Sequence, residues 1–191
     1  MSTTSLVRTA FGLLVLGAIV GGLLIIDRIG GGDGELGALD GRAPSIGELA
    51  PQFALRDPDG NVRSLSDFRG QPVWVNFWAS WCGPCRRELP DIQRLAEEFG
   101  GQDLVVLAVN QKESASKARE FWDELDLDLP ILLDSDGDVS DQYRFRGLPN
   151  NFFIDRNGDL VTFQLGFLTE GQMRESLTAL GLGQEALADV Q

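Results

Sequence analysis

Trp81-Cys82-Gly83-Pro84-Cys85 holds both cysteines of a 191-residue chain that contains no histidine. Two thiols at this spacing can close a small, reducible disulfide ring. A structural zinc site needs four N or S ligands, which a lone cysteine pair without histidine does not supply. Arg86 stands where the attachment signature of c-type haem requires histidine. The lack of histidine also excludes Ser-His-Asp and Cys-His catalysis, and haem ligation through imidazole. The chemistry this leaves the pair is thiol–disulfide exchange, in which a thiolate attacks a disulfide sulfur.

That chemistry sets requirements for the surrounding elements. Cys82 should stand at a helix N-terminus, where unpaired N–H groups and the macrodipole favour its thiolate. Pro84 suits the first turn, having a preset φ and no N–H to lose. Cys85, one turn on, is expected to be less exposed and placed to attack a mixed disulfide formed at Cys82. A static structural disulfide is the alternative for the same pattern, but so short a ring constrains little unfolded-chain entropy.

The flanking pattern supplies these elements. Val73–Trp78 is a compact β-branched and aromatic run, read as a buried central strand. It leads into a helix from about Pro84 to Phe99, with Leu89, Ile92, Leu95, Ala96 and Phe99 at helical spacing and Gly100-Gly101 expected to stop it. Gln52–Leu55 and Val62–Ser64 flank the turn Asp57-Pro58-Asp59-Gly60. Leu104–Val109 reads as a second buried strand, Ser114 as the cap of a helix through Leu125, and Pro130–Leu133 as a short strand. Val139–Tyr143 reads as a brief helix. Phe152–Ile154 and Leu160–Gln164 form a hairpin across Asp155-Arg156-Asn157-Gly158. Thr169 and Gln172 match a capping box opening a last helix to Leu180. A βαβ core closed by a hairpin and a helix implies a three-layer α/β domain with a mixed sheet. Asp134–Asp138 is acidic, but its glycine is misplaced for a calcium loop and no terminal glutamate completes one.

The N-terminus carries a compartment signal. Phe11–Ile26 is an unbroken apolar run preceded by Arg8 and closed by Asp27-Arg28. The uncharged stretch Thr9–Ile26 makes about 27 Å of helix, enough to cross a bilayer with local thinning. An uncleaved anchor is favoured over a cleaved signal peptide, because the run is long and no small-x-small cleavage site lies beyond it. Both readings export the chain beyond Ile29, with Arg8 left in the cytoplasm. The expected organisation is an anchor at 1–29, a glycine- and acid-rich tether at 30–43, a single domain at 44–183 and a tail at 184–191. The net charge of −13 argues against nucleic-acid partners.

The segment Val75–Pro90 (VNFWASWCGPCRRELP) resembles the active-site segment of the thioredoxin superfamily. It is most similar to the membrane-anchored TlpA/ResA/CcmG-like thiol–disulfide oxidoreductases, whose domain is of the AhpC/TSA redoxin type. The similarity runs from about Pro51 to Gly166. It includes Gly147-Leu148-Pro149 and a stretch around Glu113–Leu133 that looks like the branch's inserted helix and strand. The resemblance implies a thioredoxin-like three-layer sandwich with a central mixed sheet, an N-terminal β-hairpin and that insertion. It implies Cys82 as nucleophile, Cys85 as resolving thiol, and Pro149 as a cis-proline facing the disulfide. The backbone of Leu148 would pair with a substrate strand. Trp81, with Gly83 and Pro84, would face the substrate.

Asn76 occupies the position where thioredoxin keeps a buried aspartate, and an amide carries no exchangeable proton at a useful pKa. Glu88, on the same helix face as Cys85, matches an acid of the ResA-like branch and is the candidate proton relay. Asn150 replaces a glutamate typical of the CcmG branch. Arg86, Arg87, Arg144 and Arg146 are candidates for positive charge near the thiols. No cofactor beyond the Cys82/Cys85 dithiol is implied. The implied partners are disulfides of exported proteins, with apocytochrome c among them, and a membrane thiol carrier as electron donor. The domain itself is expected to be monomeric. The alternatives are a redoxin-type thiol peroxidase, for which the chain lacks Pro-x-x-x-Thr-x-x-Cys, and a non-enzymatic tethered binding or chaperone module with a structural disulfide.

Overall fold

The structure is a computed structural model and describes residues 43–183. The apolar run, nearly all of the tether and the C-terminal tail therefore lie outside the described residues. Seven strands form one mixed sheet in the order β2-β1-β5-β4-β3-β6-β7. Within it β3 (Val73–Trp78), flanked on both sides, is buried at every position as its composition requires. On one side β3 pairs in parallel with β4 (Val105–Gln111), which pairs in parallel with β5 (Ile131–Asp134). On the other it pairs antiparallel with β6 (Asn150–Ile154), which forms a hairpin with β7 (Leu160–Leu165). The N-terminal hairpin, β1 (Ala54–Arg56) and β2 (Val62–Ser64), joins the edge through Arg56 opposite Leu133.

Helix α1 (Gly83–Phe99) crosses from β3 to β4, and α2 (Ala115–Glu124) from β4 to β5. Parallel neighbours need such crossovers. The short α3 (Asp138–Gln142) and the last helix α4 (Glu170–Ala179) come after them. Strand alternation divides the core. Trp74, Trp78, Val106, Ala108 and Phe153 pack with α1, α2 and α4 on one face. Val73, Val75, Phe77, Leu107 and Phe152 pack on the other face with Val139, Tyr143 and the N-terminal segment. The fold is the expected thioredoxin-like sandwich, with one thick and one thin outer layer.

The predicted caps form. Ser114 Oγ accepts the Lys117 N–H at 3.3 Å. Thr169 and Gln172 close a reciprocal box, the Thr169 N–H donating to Gln172 Oε1 at 2.9 Å. One stop signal differs from expectation. Gly100 stays right-handed (φ −58°), a 3₁₀ turn carries the chain to Gln102, and the left-handed residue is Asp103 (φ 64°). Aspartate tolerates that conformation, so the glycines were not needed for the turn. The acidic run at 134–138 is a capping device: buried Asp134 accepts the N–H groups of Val139 (3.1 Å) and Ser140 (2.8 Å) at the start of α3.

Candidate functional site

The site forms where β3 ends and α1 begins. Cys82 is the N-cap of α1, with extended backbone, and Cys82 and Cys85 are joined as a disulfide. Cys82 Sγ accepts the Cys85 N–H at 3.2 Å. One of the helix's orphan donors is thus aimed at the sulfur, which favours negative charge there once the bond is reduced. Pro84 lies in the first turn. The two cysteines differ little in exposure, 3% and 1%, so the expected contrast between them is small in the oxidised state. Trp81, in contrast, is 69% exposed beside them. Open space surrounds Gly83, whose φ is not left-handed, so neither crowding nor backbone strain demands glycine there.

The Leu148–Pro149 peptide is cis. Asn150 pairs with Phe77 in the β3–β6 register, which sets Pro149 beside the end of β3 that feeds Cys82. Leu148 packs against the same apolar cluster as the two sulfurs. The Pro149 carbonyl accepts the Gly166 N–H at 2.8 Å, tying this loop to the segment after β7. Asn150 turns its amide back onto the Gly147 carbonyl.

Glu88 is fully buried on the inner face of α1. Its Oε1 accepts from Asn76 Nδ2 at 3.0 Å and Asn151 Nδ2 at 2.9 Å, and its Oε2 accepts from the Leu168 N–H at 2.7 Å. Burial pushes the carboxyl above its ordinary value, and hydrogen bonds from Asn151, Leu168 and Asn76 offset part of that rise. Beneath it, Asn151 Oδ1 accepts from Trp74 Nε1 at 2.7 Å and from Asn76 Nδ2 at 2.9 Å.

Two of the candidate arginines have contacts beside the first turns of α1. Arg86 makes a two-pronged ion pair with Glu124 of α2 (2.8 and 2.9 Å) and lies over the Phe121 ring, while Arg87 lies over the Phe167 ring at 5.4 Å. Arg86 therefore straps α1 to the inserted helix, with its charge already matched.

Three site residues escaped the sequence reading. Glu113, after β4, receives the Ser80 hydroxyl at 2.6 Å, the Ser80 N–H at 2.8 Å and Asn110 Nδ2 at 2.8 Å, and so pins the loop entering the cysteine pair. Burial pushes its carboxyl up, but the Ser80 and Asn110 hydrogen bonds and the Lys117 charge outweigh it, leaving it below the ordinary value. Asn151 fell just outside the strand read at Phe152–Ile154, which in the structure begins at Asn150. Phe167, 42% exposed, lies under the Arg87 guanidinium of α1.

Residues 46–163 match the AhpC/TSA family. The thiol-disulfide oxidoreductase ResA of Geobacillus kaustophilus is 35% identical over 138 residues, 72% of this chain and 79% of that one. ResA of Bacillus subtilis is 34% identical over 140 residues, 73% of this chain and 78% of that one. Among solved structures, a putative thiol:disulfide interchange protein DsbE from Chlorobium tepidum superposes with a TM-score of 0.68 at 33% identity, covering 73% of this chain and 100% of that one. StoA from Bacillus subtilis gives a TM-score of 0.58 at 26% identity, covering 68% and 99% respectively.

Proposed function

The chain belongs to the AhpC/TSA family and is a thiol–disulfide oxidoreductase of the ResA/DsbE type, and on that premise we propose that it works as a membrane-tethered, extracytoplasmic reductant of disulfides in exported proteins. The reduced Cys82 thiolate attacks one sulfur of the client disulfide, and the other client sulfur leaves as a thiolate and is protonated. Cys85 then gives its proton to the Glu88 carboxylate and attacks Cys82 Sγ. The first client sulfur leaves, and the Cys82–Cys85 disulfide remains. Two electrons pass to the client, and a membrane thiol carrier restores the dithiol. Trp81, Gly83, Pro84 and the Leu148–Pro149 segment receive the client strand. Phe11–Ile26 supplies the tether, and apocytochrome c is among the clients.

The observation that carries the nucleophilic role of Cys82 is the aim of the Cys85 N–H at its Sγ in the first turn of α1, while the reducing direction is argued from how little else stabilises that thiolate. The donor on that sulfur is a neutral backbone amide, and the chain holds no histidine to stabilise a thiolate further. A weakly stabilised reduced form makes a reductant. The test is a Cys85→Ala chain expressed in membranes, with partners trapped on Cys82 identified by mass spectrometry. Exported proteins, haem-maturation clients among them, are the expected catch, and recovery of none defeats the client-reductase reading. A reduction potential near about −120 mV, that of a strong periplasmic oxidant, would reverse the direction. Membership of the AhpC/TSA family makes peroxide reduction the rival, and peroxide turnover abolished by Cys82→Ser would favour it.

A further inference from the structure

Every group that hydrogen-bonds the Glu88 carboxyl is a donor, and the orientation of the two side-chain amides among them has a single origin. An indole N–H donates and never accepts. Trp74 Nε1, 2.7 Å from Asn151, therefore meets the carbonyl oxygen of that amide and excludes its flipped form. The Asn151 NH₂ is left facing Glu88 Oε1 at 2.9 Å. The same Asn151 oxygen also accepts from Asn76 Nδ2 at 2.9 Å, which holds the Asn76 NH₂ towards Glu88 at 3.0 Å. The third partner, the Leu168 backbone N–H, is a donor by nature. Oε1 thus carries two donors and Oε2 one, so the lone pair left for a proton is on Oε2.

We propose that Asn151 is the positioning residue that sets the proton affinity of Glu88, with Trp74 as the anchor that keeps its NH₂ on the carboxylate. The proposal deepens the relay role given to Glu88 above and rests on that reading for its catalytic consequence. The groups facing Glu88 are amides: Asn76 from β3, Asn151 from β6, and the Leu168 N–H from the loop before α4. On its own helix the neighbour one turn back is Cys85, which carries no proton while it is joined to Cys82. Among the described residues no charged side chain contributes to its environment, so the amides are what opposes the cost of burial. Asn76 alone cannot fill this role. Its own oxygen is buried without a partner, so apart from Glu88 itself the Asn151 oxygen is what holds its NH₂ in place, and that hold does not weaken when the carboxyl is protonated.

The test titrates the Glu88 carboxyl directly by ¹³C NMR of the oxidised full chain labelled in glutamate, with Glu88→Gln to assign the signal. Asn151→Leu removes a donor to the anion and frees Asn76 to turn, and its expected effect is an upward shift of about one pH unit, a tenfold gain in proton affinity. Trp74→Phe leaves every contact to Glu88 in place but lets Asn151 flip when the carboxyl is protonated. It shifts the midpoint in the same direction by less, and it keeps the proposal testable if Asn151→Leu does not fold. An unmoved midpoint in either folded variant overturns the proposal. In parallel, the rate at which a Cys82 mixed disulfide is released is measured against pH. A midpoint that moves while the release profile stays put upholds Asn151 and removes Glu88 from the relay. When both move together, both readings stand.

Discussion

Glu88→Gln probes the buried carboxyl with almost no change in shape, and the structure fixes the sign of its effect against pH. The carboxyl accepts three hydrogen bonds, two at Oε1 and one at Oε2. A glutamine has one oxygen. Turned towards Asn76 and Asn151, it keeps those two bonds and sets its own NH₂ against the Leu168 N–H. A buried donor deprived of its acceptor costs about 1–3 kcal/mol, so in acid, where wild-type Glu88 is protonated and neutral, the variant should be less stable by about that amount. Burial raises the folded-state value of Glu88 above its unfolded one. Stability contributed by such a group is fully present below the unfolded value, about 4.3, and is lost as pH rises through the folded value. Each unit between the two values withdraws about 1.4 kcal/mol from the wild type and nothing from the glutamine variant. The stability gap therefore narrows as pH rises, and closes or inverts if the elevation exceeds about one to two units. Urea denaturation of both oxidised proteins from pH 4 to 8.5 measures it, and taking the difference cancels the remaining carboxylates. A gap that is flat, or that widens with pH, would refute the claim that burial dominates at this site.

The same geometry yields two further outcomes. Glu113→Gln retains one acceptor for the three donors from Ser80 and Asn110, so it should cost about 1–2 kcal/mol in urea denaturation at pH 7. Because the Glu113 carboxyl sits below its ordinary value, its stabilisation is present above about 4.3 and is lost as pH falls, so the deficit should shrink in acid, opposite in sign to the Glu88 trend. Trp81→Ala, at a side chain 69% exposed, should leave the unfolding free energy from urea denaturation within about 0.5 kcal/mol of wild type while raising KM for a protein disulfide more than it lowers kcat. A large loss of stability would show that Trp81 is a packing residue.

The parts of this protein legible in its sequence are those whose cause is local. The run Val73–Trp78 could only be a buried strand, the Asp-Pro-Asp-Gly and Asp-Arg-Asn-Gly turns dictated their hairpins, and Ser114 and Thr169 announced their helices through side chains that reach three residues ahead. The cysteine pair was legible for the same reason, since its reactivity depends on the first turn of one helix. The partners of Arg86 and Glu113 were not. Glu124 lies 38 residues beyond Arg86, and Ser80 lies 33 residues before Glu113, so only the packing of α2 and of the β4 end against the active-site loop brings them together. The end of α1 misled for a subtler reason. Glycine permits a left-handed turn without requiring one, and Asp103 took it instead.

The Glu88 environment depends on something no local pattern contains, the register between β3 and β6. Asn76 stands opposite Asn151 in that antiparallel pair, on the face that carries Trp74 and receives α1. Side chains alternate along a strand, so a slip of one residue would send Asn151 to the opposite face and bring Asn150 or Phe152 under the carboxyl. Neither substitute works. Phe152 belongs to the aromatic cluster with Phe77 and Tyr143, and Asn150 is engaged with the Gly147 carbonyl at the cis-proline turn. The large apolar side chains that fill both faces of the sheet thus also hold the two amides in register. An Asn at position 76 in place of an acid then has a consequence beyond losing a titratable group from the strand. It supplies a donor to an acid on the facing helix, so the carboxyl buried here is the one on the same helix face as Cys85, and the strands are left to set how tightly it holds its proton.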